Sequence, residues 1–138
     1  MPSTTGPIRV IHFGLGPIGA AVVRQVADRK GFKIVGAVDI DPAKVGQDLG
    51  DVTGVGRKLK IKVMDDARKA IKAGKPDVAV LCTNSSLKKV VPQIESIVKL
   101  KVPIVSTTEE LAYPTKANMR YARIIHQAAK KYKVAVLG

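Results

Sequence analysis

Apolar and polar positions follow two rhythms along this chain: short unbroken apolar runs, and longer segments in which apolar residues recur every third or fourth position. Residues 8–13 (IRVIHF) form a β-branched run that stops at a glycine, the pattern of a buried strand. Residues 17–30 (PIGAAVVRQVADRK) place Ile18, Val22, Val23 and Val26 on one helical face and end before Gly31, a natural helix stop. A second strand is predicted over 33–39 (KIVGAVD). The polar, glycine-rich stretch from Asp41 to Arg57 predicts a long loop with at most a short helix over 42–45. Residues 59–63 (LKIKV) alternate apolar and basic, as an exposed edge strand does. Residues 65–74 (DDARKAIKAG) open with two acids and close with lysine and glycine, matching the two poles of a helix dipole.

A continuous apolar strand follows at 77–82 (DVAVLC), and Thr83, Asn84, Ser85 and Ser86 offer N-cap groups for a helix over 87–100. Within that helix Pro92 either introduces a kink or marks the true first turn. A strand over 103–106, a helix over 115–132 with Met119, Ala122, Ile125 and Ala129 on one face, and a strand over 133–137 complete the chain. Apolar strands alternating with helices predict an α/β fold, a mostly parallel sheet with right-handed crossovers. Six such strands predict a doubly wound Rossmann sheet of order 3-2-1-4-5-6, one domain over residues 1–138. Ligands of such sheets sit at the carboxyl ends of the strands, where the order reverses. The loops after residues 13, 39, 82 and 106 are therefore expected to converge on one crevice.

The chemistry concentrates in those loops. Gly14-Leu15-Gly16-Pro17-Ile18-Gly19 is a GxGxxG that follows a strand and opens a helix, the context in which this motif cradles the pyrophosphate of a dinucleotide. Gly14 permits the tight turn, Gly16 the close approach of backbone to phosphate, and Gly19 the packing of helix on strand. Pro17 falls in the first helical turn, where its missing N–H costs least. Asp39 ends the second strand, where a carboxylate accepts hydrogen bonds from both adenosine ribose hydroxyls and repels a 2′-phosphate. That favours NAD, but Lys44, Arg57 and Lys58 in the next loop could receive a 2′-phosphate if Asp39 turned away, so NAD and NADP both stay open. Thr83, Asn84 and Ser85 either line the path to the nicotinamide ribose or only cap the next helix. Glu109 and Glu110, in Ser106-Thr107-Thr108-Glu109-Glu110, are an acid/base pair or an anchor for a cationic amine, or else acids placed to favour a helix start. His12 within a strand and Cys82 among apolar neighbours read as packed residues, and His126 as ordinary helix surface or packing.

Charge and composition narrow the choice. A net charge of +13 suits an anionic ligand, nucleic acid or an acidic partner surface. Because the basic residues are scattered and aromatics are 4% with no tryptophan, stacking platforms for nucleic acid are scarce. One cysteine and two histidines argue against a metal centre. No apolar run approaches the ~20 residues of a membrane span and no leader pattern opens the chain, so a soluble cytoplasmic protein is expected.

GLGPIG, the VDIDPAKVGQDLG stretch and above all STTEELAYP at 106–114 resemble the N-terminal domain of the 2,4-diaminopentanoate dehydrogenases and native amine dehydrogenases, distantly similar to dihydrodipicolinate reductase. The resemblance covers essentially the whole chain. It implies reversible NAD(P)-dependent oxidative deamination, in which an amine is exchanged for a ketone and ammonia. It also implies that Glu109, or failing that Glu110, handles the amine or its proton, and that Thr107 and Thr108 flank the nicotinamide. A second domain that supplies the substrate pocket and homodimer contacts is expected to be absent from these 138 residues. Two other readings remain: an imine reductase like dihydrodipicolinate reductase, and a non-catalytic nucleotide- or CoA-binding module.

Overall fold

The computed structural model describes residues 6–83, 86–112 and 116–138. Strands β1 (Ile8–Phe13), β2 (Phe32–Val38), β3 (Val78–Leu81), β4 (Ile104–Ser106) and β5 (Val136–Leu137) form one parallel sheet of order β2-β1-β3-β4-β5. Helices α1 (Pro17–Ala27), α2 (Leu49–Thr53), α3 (Ala67–Gly74), α4 (Leu87–Val98), α5 (Glu109–Ala112) and α6 (Met119–Tyr132) connect them. None of the described helices is long and apolar enough to cross a membrane.

Because side chains alternate along a strand, each face of the sheet has its own core. Ile11, Phe13, Ala79, Leu81 and Ile104 point to the face covered by α3, α4 and α6. There α4 alone buries Leu87, Val90, Val91, Ile94, Ile97 and Val98, each contributing about 1.5–3 kcal/mol of apolar burial. The helix runs through Pro92, its sixth residue, without ending. On the opposite face Leu15, Val23, Ala37, Leu49 and Val63 form a smaller core under α1 and α2. Right-handed crossovers explain the division. Only the step from β1 to β2 travels leftwards across the sheet, so α1 lies on one face and α3, α4 and α6, which lead into β3, β4 and β5, on the other, while the short α2 in the loop after β2 packs beside α1.

The expected six-stranded order 3-2-1-4-5-6 is corrected to five strands, with the remaining order as expected. Residues 59–63, where the edge strand was predicted, contribute only the isolated bridge of Lys62 with Asp48, and Met64 just beyond them bridges Val38 of β2. Two local features prevent a ladder. Lys60 adopts a left-handed φ of 60°, which breaks the extended run. The Asp48 carboxylate accepts the N–H groups of Leu59 (2.9 Å) and Ile61 (3.1 Å), so those donors are lost to strand pairing. Burial acts to raise the Asp48 carboxyl, but the N–H groups of Leu59, Gly50, Ile61 and Lys60 outweigh it and hold the group below its ordinary value. Asp48 also caps α2 through the Gly50 N–H, a short helix that replaces the one expected over 42–45. Residues 42–45 instead turn on the Asp41 carbonyl, which accepts from Lys44 and Val45.

His12 lies on the α1 face, 1% exposed, with Nε2 unpaired among the described residues. Burial lowers its pKa from 6.5 to about 4 and keeps it neutral in the folded protein. Above pH 6.5 both folded and unfolded forms are neutral there. As pH falls towards 4 the unfolded chain takes up a proton that the folded chain refuses, so stability is lost, by about 2 kcal/mol between pH 7 and 5. Urea denaturation of His12→Leu at those two pH values is expected to show that part of the loss removed. An unchanged pH slope would show that another group causes it.

Candidate functional site

The strand order reverses between β1 and β3, and at that point the loops leaving β1, β2 and β3 enclose a cleft of about 450 Å³. The turn after β1 depends on glycine. Gly14 has φ +89°, and a Cβ there would stand 2.6 Å from the Cys82 carbonyl oxygen. A Cβ on Gly19 would stand 1.9 Å from the Gly14 carbonyl oxygen, so α1 begins in contact with the turn itself. Gly16 is different. Its φ of −70° suits any residue, yet nothing lies within 4 Å of where its Cβ would project. It caps α1 without a side-chain acceptor, and Pro17 opens the helix. The positive pole of α1 and its remaining first-turn N–H groups therefore stand beside an open cradle. Leu15 turns inward against the smaller core and fixes the turn from below, while Ile18 remains exposed.

Asp39 faces this turn. Its Oδ2 accepts the Leu15 N–H at 2.8 Å and its Oδ1 the Asp41 N–H at 2.9 Å, which locks the carboxylate in the cleft wall. Lys44 also lines the cleft, where its Nζ donates to the Leu15 carbonyl at 2.9 Å and stands 3.9 Å from Asp41. Arg57 and Lys58 do not reach it. Arg57 pairs with Asp28 at 3.1 Å and donates to the Ala27 carbonyl at 3.0 Å, and Lys58 pairs with Asp51. The loop folds back over α2 and carries both cations away.

The third wall holds Cys82 and Thr83, together with Lys89 and Gln93 of α4. The Thr83 hydroxyl meets Gln93 Oε1 at 2.5 Å. Asn84 and Ser85 lie outside the described residues. Lys89 and Gln93 were not anticipated as site residues, although four-residue spacing puts both on one face of α4. Ile40, 87% exposed beside Asp39, was likewise missed, because an apolar residue after a strand carries no polar signal.

The fourth loop, after β4, adjoins the cleft and is not part of its described lining. Burial pushes the Cys82 thiol up, opposed by a hydrogen bond from the Thr107 side chain that joins this loop to the cleft. The Ser106 hydroxyl donates to the Leu81 carbonyl at 3.0 Å and accepts the Thr108 N–H at 3.0 Å. Thr108 is buried beside it, so Thr107 is the exposed member of the pair. The two glutamates also part. Glu110 Oε2 accepts the Leu87 N–H at 2.6 Å. It thereby caps α4, which has no side-chain cap at Ser86 and carries lysines, not acids, in its first turn. Glu109 is exposed at the start of α5.

Residues 8–136 match the family described as dihydrodipicolinate reductase, N-terminus. The chain belongs to this family. The domain is 32% identical over 132 residues to the 2,4-diaminopentanoate dehydrogenase of Acetoanaerobium sticklandii, covering 95% of this chain and 37% of that protein. The solved structure of an amine dehydrogenase from Mycobacterium smegmatis superposes with a TM-score of 0.87 at 35% identity, covering 96% of this chain and 39% of that one. The redox-sensing transcriptional repressor Rex of Caldicellulosiruptor saccharolyticus is 32% identical over 87 residues, covering 62% of this chain and 36% of the repressor. The chain thus spans less than two-fifths of the length of the first two of these proteins.

If Glu110 is the cap of α4, Glu110→Ala is expected to lower stability by about 1 kcal/mol, or roughly 2–5 °C in Tm for a domain of this size. Glu110→Gln, which retains an acceptor oxygen, is expected to recover most of that loss, and Glu109→Ala to leave Tm within about 1 °C. Equal melting of all three variants in calorimetry would remove the capping role.

Proposed function

We propose that this domain binds NAD(H) at the β1–β3 switch point. We further propose that it serves as the coenzyme-holding part of an oxidoreductase acting on the CH–NH2 group of an amine. The observation that carries the reading is the cradle at Gly16, left open where α1 presents its positive pole, with Asp39 locked beside it. Gly16, Ile18 and Gly19 hold the pyrophosphate by backbone N–H groups, Gly14 and Pro17 shape the turn and the helix start around it, and Asp39 receives the adenosine ribose hydroxyls on the lone pairs its two backbone bonds leave free. Ile40 offers apolar surface beside that sugar. Thr83, with Asn84 and Ser85, continues the path from the β3 loop, and Thr107 extends it from the β4 loop. When bound, the coenzyme supplies a hydride donor or acceptor.

NAD is favoured over NADP because Asp39, held on both oxygens, is not free to swing aside for a 2′-phosphate. The cations that could have received that phosphate are engaged: Arg57 and Lys58 outside the cleft, Lys44 by the Leu15 carbonyl. The amine reading rests on the similarity to the diaminopentanoate and amine dehydrogenases. In it Glu109, the exposed carboxylate of its pair, holds the substrate ammonium and carries its proton, while Glu110 keeps α4 in register. The whole reaction, with its ketone and ammonia, belongs to a larger protein of the relatives' length.

NADH fluorescence titration of the domain is expected to give saturable binding at least about tenfold tighter than that of NADPH, a difference of about 1.4 kcal/mol. Asp39→Ala is expected to weaken NADH binding and narrow that ratio. Gly16→Val is expected to melt within a few degrees of the parent yet lose NADH binding, because a Cβ at this cleft-lining position projects into open space where the pyrophosphate would lie. No binding at millimolar coenzyme, or a preference for NADPH, would overturn the assignment.

A further inference from the structure

Helix α4 breaks a local rule at the edge of the cleft. Cations are unfavourable in the first turn of a helix, where the dipole is positive. Yet α4 opens Leu87-Lys88-Lys89 and carries no acid in that turn. Glu110 offsets part of this from outside the helix by accepting the Leu87 N–H. The two lysines differ in what they face. Both are exposed, but Lys89 lines the cleft one helical turn before Gln93, whereas Lys88 is not part of its described lining. Gln93 accepts the Thr83 hydroxyl, so this stretch of α4 is tied to the loop that leaves β3. Positions that break a local preference concentrate at functional sites, and an anion in the cleft supplies the counter-charge that Lys89 lacks within its helix.

The other charges of the cleft are already engaged. Lys44 donates to the Leu15 carbonyl and stands 3.9 Å from Asp41, and Asp39 is held by two backbone N–H groups. Lys89 takes no part in the three ion pairs, or in any side-chain hydrogen bond, among the described residues. Topology then decides which part of an anionic ligand it meets. β1 lies between β2 and β3, so the glycine turn leaving β1 stands in the middle, with Asp39 on the β2 side and Lys89 on the β3 side. A phosphate on the 2′ position of the adenosine ribose would lie beside Asp39, on the far side of the turn from Lys89. A pyrophosphate over the turn lies between the two. The backbone donors of the turn are uncharged, and a charged donor holds an anion more strongly than a neutral one. Resting on the coenzyme reading above, we propose that Lys89 is a coenzyme-binding residue whose ammonium pairs with the pyrophosphate, so that α4 completes the third side of the phosphate cradle.

Calorimetric titration of NADH, NADPH and ADP-ribose into the whole 138-residue chain tests this. Lys89→Met is expected to weaken all three by the same factor, about tenfold, and to flatten the decline of NADH affinity with added salt. Lys89→Arg is expected to restore binding, and Lys89→Gln, a donor without charge, to leave it weak. Lys88→Met removes the same charge from the same turn outside the cleft, and is expected to bind NADH within about twofold of the parent. Both methionine variants are expected to melt at or slightly above the parent temperature, because each relieves a cation at the positive helix pole. Loss confined to NADPH would place the lysine at a 2′-phosphate, and loss of NADH without loss of ADP-ribose would place it at the nicotinamide half; either overturns the proposal. So would equal loss in Lys88→Met, or parent-like binding by Lys89→Met or Lys89→Gln, which would remove the role of Lys89 while leaving the coenzyme reading intact. No NADH binding by the parent chain would overturn both.

Discussion

Two backbone approaches fix the site: the Gly14 turn against the Cys82 carbonyl, and the start of α1 at Gly19 against the Gly14 carbonyl. Neither leaves room for a Cβ, so the turn joins the end of β1 to the end of β3 and to the first turn of α1 at once. β1 lies between β2 and β3, and the Asp39–Leu15 contact ties the third neighbour to the same turn. Three loops from separate parts of the sequence are thereby held in one arrangement. Of the three motif glycines, the one that sterics do not require, Gly16, marks the space the arrangement keeps open.

Much of this was legible in the sequence because it rests on local rules. The glycine spacing, the position of Asp39 and the alternation of apolar runs with helical periodicity located β1, α1, β2 and the switch point. The strand expected over 59–63 failed for a reason that periodicity cannot carry: Asp48, more than ten residues away, takes two of its N–H groups, and Lys60 turns its backbone. Adjacent Glu109 and Glu110 could not be told apart by position. Their difference depends on a contact with Leu87, 23 residues earlier. Lys89, Gln93 and Ile40 stayed hidden because each belongs to the cleft only through the packing of α4 and β2.

The topology that creates the cleft also leaves the sheet unequal. Reversing direction once, at β1, places a crevice at the carboxyl ends of the strands and sends α1 away from β4 and β5. The same reversal explains why His12 is buried beneath α1 while Val105, two strands along in the same row, is open to solvent. Coenzyme cleft and uncovered face therefore lie on one framework but are chemically distinct. The cleft combines N–H groups with a carboxylate, and the face is apolar.

In the proposed complex the first-turn N–H groups of α1 receive a phosphate. Backbone amide NMR of the isotope-labelled domain during NAD addition tests it most directly. The largest downfield proton shifts are expected at Gly16, Ile18 and Gly19, with smaller changes at Leu15 and Asp39. Shifts confined to the glycine-rich loop over 50–58, or no change along 14–19 at saturating coenzyme, would contradict it.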